Sequence, residues 1–170
     1  MKSYTLTELF VVISLIIIFL TIGIYFTQKV RHIYTLEKSK IFLVSKIHKA
    51  RSLSLSPKKN GSSLPGGYGI YFPSFPTTKF YLFADLDGDH IWDSNETIEE
   101  NSLEKLTEIF QAKFSSGVLP SQVNILFTPP RAKVYFNNNP NINYLEIILK
   151  EKIDNTTTTI LVNKLGQISF

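Results

Sequence analysis

Five carboxylates fall within twelve residues at Asp85, Asp87, Asp89, Asp93 and Glu96, in the run Asp85-Leu86-Asp87-Gly88-Asp89-His90-Ile91-Trp92-Asp93-Ser94-Asn95-Glu96. Like charges this close repel one another unless something neutralises them. Water does so by hydration. A hard cation such as Ca²⁺ does so through oxygen ligands drawn from carboxylates, backbone carbonyls and water. The carboxylates here stand at loop positions one, three, five, nine and twelve, with the Ile91 carbonyl at seven.

This is the oxygen spacing of an EF-hand calcium loop, whose last Glu binds through both oxygens. The glycine of that loop belongs at position six, where the backbone turns sharply. Here Gly88 is at four and His90 at six. Histidine reaches positive φ less easily than glycine, and no helical pattern flanks the loop on both sides. Two readings stay open. One is a hydrated polar turn; the other is structural Ca²⁺ held by Asp85, Asp87, Asp89, Asp93 and Glu96 with the Ile91 carbonyl. His90 is expected at the surface rather than as a ligand, because oxygen-rich sites suit Ca²⁺.

Glu8 is the other carboxylate in an unusual place. It sits at the mouth of Leu9 to Phe26, LFVVISLIIIFLTIGIYF, a run without a charge. As a helix this run rises about 27 Å, close to the thickness of a bilayer core. A cleaved signal peptide has a shorter apolar region of about 7–15 residues and a small-residue cleavage site. Here Thr27-Gln28-Lys29-Val30-Arg31 follows instead, which favours a retained membrane helix. A carboxylate at the centre of such a helix costs about 2.5–3.5 kcal/mol on insertion scales, and less at its edge. Glu8 is therefore either wetted at the interface or placed to meet a cationic partner.

Nothing else assembles a catalytic set. His32, His48 and His90 lie in different contexts, no glycine-rich phosphate loop follows a strand, and there is no cysteine. The chain is expected not to be an enzyme. A formal net charge of +4 is spread out, apart from a small cluster around Lys29, Arg31, Lys38, Lys40, Lys46, Lys49 and Arg51. Nucleic-acid binding usually shows a concentrated basic stripe.

The elements that must position these groups follow from periodicity. No Pro or Gly interrupts Ile24 to Ser56, and Pro57 then stops a helix. One helix is predicted from about Thr5 to Ser54, within a segment 4–56 that is transmembrane over about 9–26 and amphipathic over 27–56. Its packing stripe is expected at Val30, Ile33, Tyr34, Ile41, Val44 and Ile47, with His48, Lys49 and Arg51 on a solvated face. Residues 57–67 form a loop by composition. Short runs rich in aromatic and β-branched residues follow, at Tyr68 to Phe72, Lys79 to Ala84, Val123 to Phe127, Ala132 to Phe136, Tyr144 to Leu149, Thr156 to Val162 and Gln167 to Phe170. Short turns between neighbours imply antiparallel pairing. Leu103, Leu106, Phe110 and Phe114 leave 103–114 open between helix and strand. The fold class is α+β: a long amino-terminal membrane-spanning helix running into a carboxy-terminal domain, 68–170, of short antiparallel strands.

Ser3-Tyr4-Thr5-Leu6-Thr7-Glu8-Leu9, followed by Phe10-Val11-Val12-Ile13, resembles the class III signal of type IV pilins and type II secretion pseudopilins. In that family a basic leader ends in Gly, a prepilin peptidase cuts after it and methylates the new terminus, usually Phe, and the fifth mature residue is Glu. The resemblance implies a leader of residues 1–3, a cut between Ser3 and Tyr4, a methylated Tyr4 and Glu8 as the assembly residue. Ser3 stands where the family has Gly, and Tyr4 where it has Phe. The order of the later pieces is similar to the H-type minor pseudopilins. Gly67 to Phe72 matches a glycine-bearing strand, Phe80 to Asp85 an aromatic strand leading into an acidic turn, Val123 to Phe136 a strand-turn-strand, and Val162 to Ile168 the closing motif.

The resemblance implies a subunit that assembles through its helix into a type II secretion pseudopilus or a type IV pilus. Its partners would be other pilin subunits, the peptidase, an inner-membrane assembly platform and the lipid bilayer. The amino terminus would be cytoplasmic and the domain extracytoplasmic. Positive-inside counting, with Lys2 before the span and Lys29, Arg31, Lys38 and Lys40 after it, points the other way. Two alternatives remain: a minor pilin that binds DNA during uptake, and an anchored calcium-binding domain that never polymerises.

Overall fold

The computed structural model describes residues 5–56 and 64–170. Thr5 starts the helix. Its hydroxyl accepts the Glu8 N–H, while the Glu8 carboxylate accepts the Thr5 N–H, a capping box that satisfies two otherwise unpaired amides. Helix α1 then runs from Leu6 to Leu55, 50 residues without a break. At about 1.5 Å per residue it is about 75 Å long. It ends where Ser56 donates its N–H to the Ser52 carbonyl, immediately before Pro57 in the sequence.

Among the described residues nine strands follow: β1 Gly67–Phe72, β2 Lys79–Asp85, β3 Thr97–Ser102, β4 Thr107–Phe114, β5 Val123–Thr128, β6 Lys133–Phe136, β7 Tyr144–Glu151, β8 Thr157–Asn163 and β9 Ile168–Ser169. They form two sheets, β3-β2-β1-β5-β6 and β4-β7-β8-β9, and every paired neighbour is antiparallel. The α+β class expected from the sequence is the one observed. A bridge between Thr77 and Ile109, with N–H···O distances of 3.0 and 2.7 Å, links the segment before β2 to β4.

The second half of α1 packs against both sheets, and one core joins all three layers. The helix contributes Leu36, Leu43, Val44, Ile47 and Ala50, at three-, four- and seven-residue spacings that keep them on one side. Burying Leu43 and Ile47 completely stabilises the fold by about 1.5–3 kcal/mol each. This face is not the one expected. Val44 and Ile47 lie on it, but Val30, Ile33, Tyr34 and Ile41 are all exposed. The chain carries two apolar stripes on neighbouring sides of one helix, and only the Leu36–Ala50 stripe meets the domain. Arg51 also departs from the expected solvated face. It is half-buried, with Nε shut off from solvent, beside Gly166, where an added Cβ would sit 3.3 Å from that nitrogen.

Alternation along the first sheet separates its two faces. Tyr68, Ile70 and Phe72 of β1, Phe80 and Leu82 of β2, and Val123, Ile125 and Phe127 of β5 face the helix side. Tyr71, Phe83 and Leu126 form a separate cluster on the other face. Gly69 belongs to that outer face, and its lack of a side chain is required. A Cβ there would meet the Phe83 ring at 2.4 Å and the Ile125 carbonyl oxygen at 2.5 Å.

Candidate functional site

Two places carry the chemistry singled out in the sequence. The first is the start of α1. Leu6–Ile24 is 19 residues long with a mean hydropathy of 2.6, long and apolar enough to cross a membrane, and none of it is buried against the domain. Glu8 stands in the first turn of this segment, with Oε2 accepting from the Thr5 N–H at 2.8 Å and the Thr5 hydroxyl at 2.9 Å. Its carboxylate is therefore partly satisfied within its own chain, at the helix end whose dipole favours a negative charge. The three-residue spacing from Thr5 to Glu8 is itself a capping-box signature. The sequence placed the helix start at about Thr5, and this spacing could also have assigned Thr5 as its cap. Ser3 and Tyr4 lie outside the described residues.

The second is the loop between β2 and β3. Asp85 ends β2 fully buried, and one carboxylate oxygen from each of Asp85, Asp87 and Asp89 lies within 4.8 Å of the others. Three side-chain turns shape the loop. Asp85 Oδ1 accepts the Gly88 N–H at 2.7 Å, Asp87 Oδ1 the Asp89 N–H at 3.2 Å, and Asp89 Oδ1 the Ile91 N–H at 2.7 Å. The chain then reverses at His90, which adopts φ 67°. The expected difficulty of placing His at position six is thus met by a left-handed histidine, a conformation it tolerates better than β-branched residues do. His90 is a surface group here, with Nδ1 3.2 Å from Asn138 Oδ1 and its ring 4.7 Å from that of Tyr135.

Asp93 and Glu96 do not join the converging group among the described residues. Glu96 is 2% exposed, and its two oxygens accept the N–H groups of Leu86 at 2.6 Å and Asp93 at 3.2 Å. It clamps the start of the loop to its end. Burial raises the Asp85 carboxyl above its ordinary value, opposed by the Gly88 N–H and reinforced by Asp87 and Asp89. Burial also raises Glu96, against the Leu86 and Asp93 amides that stabilise its charged form. Asp85 Oδ2 is closed off from solvent and, among the described residues, has no hydrogen-bond partner.

Between these carboxylates the loop carries Trp92, which packs on the outer face of the first sheet. Its ring stacks on Tyr71 with centroids 4.2 Å apart and on Tyr81 at 5.4 Å, and its indole N–H donates to the Thr97 hydroxyl at 3.0 Å. The Asn138 amide donates to the Asp89 carbonyl at 3.1 Å. The acidic loop thus crosses the outer face, from β2 to the turn after β6, and covers its aromatic cluster.

Another convergent group was invisible in sequence. His32, Glu151 and Asp154 bring ligand-type atoms within 4.8 Å of one another. Both Glu151 oxygens already have partners: His32 on Oε1, and the N–H groups of Ile153 and Asp154 on Oε2. That saturation marks a structural tie.

Comparison with protein-family models, with curated proteins and with solved structures finds no match to this chain.

Proposed function

We propose that this chain is a pilin-like subunit of the minor pseudopilin type. In this reading α1 anchors it in the inner membrane with the amino terminus cytoplasmic and the β domain extracytoplasmic. It assembles through that helix, with other pilin subunits, into a type II secretion pseudopilus or a type IV pilus. The reading rests on the build of α1. An apolar segment of membrane length, opened by Glu8, continues without a break into the domain core while Val30, Ile33, Tyr34 and Ile41 stay exposed along it. A helix that needed only to hold a domain at a membrane has no use for an apolar stripe outside both lipid and core. A helix that packs on neighbouring helices in a filament does. Glu8 supports the same reading, since in such a bundle its carboxylate can pair with the terminal amine of an adjacent subunit.

Co-expression of the full chain with a prepilin peptidase, followed by intact-mass and amino-terminal analysis of the membrane extract, tests this. A product beginning at methylated Tyr4 is the expected result. A chain still beginning at Met1, with the source's own peptidase as well, would leave a simple anchored domain as the better reading.

A further inference from the structure

We infer that the loop Asp85–Asp89 is a Ca²⁺ site whose occupant is held by Asp85, Asp87 and Asp89 and pins the loop over the outer face of the first sheet. This inference is independent of filament assembly. Convergence of three carboxylates alone is weak, since exposed acidic groups often gather without an ion. The orphaned Asp85 oxygen is the independent observation. A buried polar atom left without a partner carries an uncompensated desolvation penalty, and Asp85 is fully buried, with Oδ2 unmatched among the described residues while Oδ1 accepts the Gly88 N–H. That carboxylate belongs to the converging group, where oxygens of Asp87 and Asp89 lie within 4.8 Å. A cation there would supply the missing partner and cancel the mutual repulsion at once.

The donor set names the cation. Carboxylate oxygens are hard ligands, and a loop of successive side-chain turns supplies them at irregular angles. Ca²⁺ accepts such geometry, whereas Mg²⁺ demands a near-ideal octahedron and gives up water reluctantly. Glu96, withheld on two backbone amides, acts as a clamp rather than a ligand. With that ligand missing, affinity falls in the weak range of extracellular modules, about 10⁻⁴–10⁻³ M.

Trp92, the one tryptophan in the chain, provides the probe because it sits three residues beyond Asp89. In detergent-solubilised full chain, Tb³⁺ emission excited through Trp92 should rise to saturation. Ca²⁺ at about millimolar concentration should displace it, and Mg²⁺ at the same concentration should not. The double variant Asp87→Asn/Asp89→Asn changes two exposed side chains and should keep its far-ultraviolet circular dichroism while losing at least about tenfold in affinity. Asp89→Asn alone should fall between the two. Absence of sensitised emission from the unaltered chain would overturn the inference. So would emission undiminished in the folded double variant, which would place the ion away from Asp87 and Asp89.

Discussion

His32 Nδ1 and Glu151 Oε1 stand 3.2 Å apart, tying the helix to the end of β7 across 119 residues of sequence. Glu151 is fully buried and also accepts two amides of the turn that follows β7. Glu151→Ala should therefore cost more than His32→Ala. The first orphans two amides and the histidine, about 1–3 kcal/mol for each group left buried; the second removes one partner. Unfolding of both variants in detergent, followed by Trp92 fluorescence, gives the order. Equal losses would mean that the turn is held by something other than Glu151.

Glu99 of β3 receives both Lys46, at 2.7 Å, and Lys49 from the helix. Their hydrogen bonds and charges hold its carboxyl below the usual value. The sign follows. Between the folded and unfolded values the unfolded chain binds more protons, so this tie is fully present above about pH 4.3 and fades as pH falls through the lower folded value. Because Glu99 is partly exposed, Glu99→Gln should cost only about 0.5–1 kcal/mol at neutral pH. Its difference from the parent should vanish in acid. A difference that persisted there would show that packing, not charge, is what the substitution removes.

Gly69→Ala should destabilise the domain by about 1–3 kcal/mol or more, as overpacking does. The new methyl would meet the Phe83 ring and the Ile125 carbonyl well inside contact distance. Because that ring shares its layer with Tyr71, under Trp92, the substitution should also shift tryptophan emission. An unshifted spectrum would mean that the layer adjusts without disturbing the loop.

Leu43 and Ile41 separate stability from assembly. Leu43 is fully buried, and Leu43→Ala should cost about 2–5 kcal/mol. Ile41 is 62% exposed on the free stripe, so Ile41→Ser should leave stability within about 0.5 kcal/mol. Under the proposed function, Ile41→Ser should nevertheless reduce helix–helix cross-linking in membranes, as should Glu8→Leu. Undiminished cross-linking in both would remove helix packing as the basis of assembly.

Most strands were legible because their aromatic and β-branched runs end at turn residues. Two were not. β3 reads Thr-Ile-Glu-Glu-Asn-Ser, with little apolar alternation, because it is an edge strand held by its β2 partner and by Lys79, Lys46 and Lys49. β4 was ambiguous because Leu103, Leu106, Phe110 and Phe114 recur at helical spacing, although Leu103 and Leu106 precede the strand and Phe110 is exposed on it; the strand itself contains a bulge between Ile109 and Gln111. The extra residue shifts the phase, so the buried positions are Thr107, Ile109, Ala112 and Phe114. A three-residue step inside a strand imitates helical spacing. On the helix, periodicity fixed the element but not which of two apolar stripes meets the domain, since a sequence does not reveal which partner each side will have. In the loop, the spacing of oxygens was readable, while the diversion of Glu96 to backbone amides depends on a buried turn that only folding creates.

The unbroken helix has a mechanical consequence. Beyond Gly23, no Pro or Gly lies between Ile24 and Ser56, so from Ile24 onward α1 carries no residue that favours a bend before its last turns lock into the core. Tilting a rod about 75 Å long by about 10° carries its far end roughly 13 Å sideways. A push or twist delivered to the helix beyond Gly23 would therefore reach the β domain as rigid-body displacement, with little lost to bending on the way.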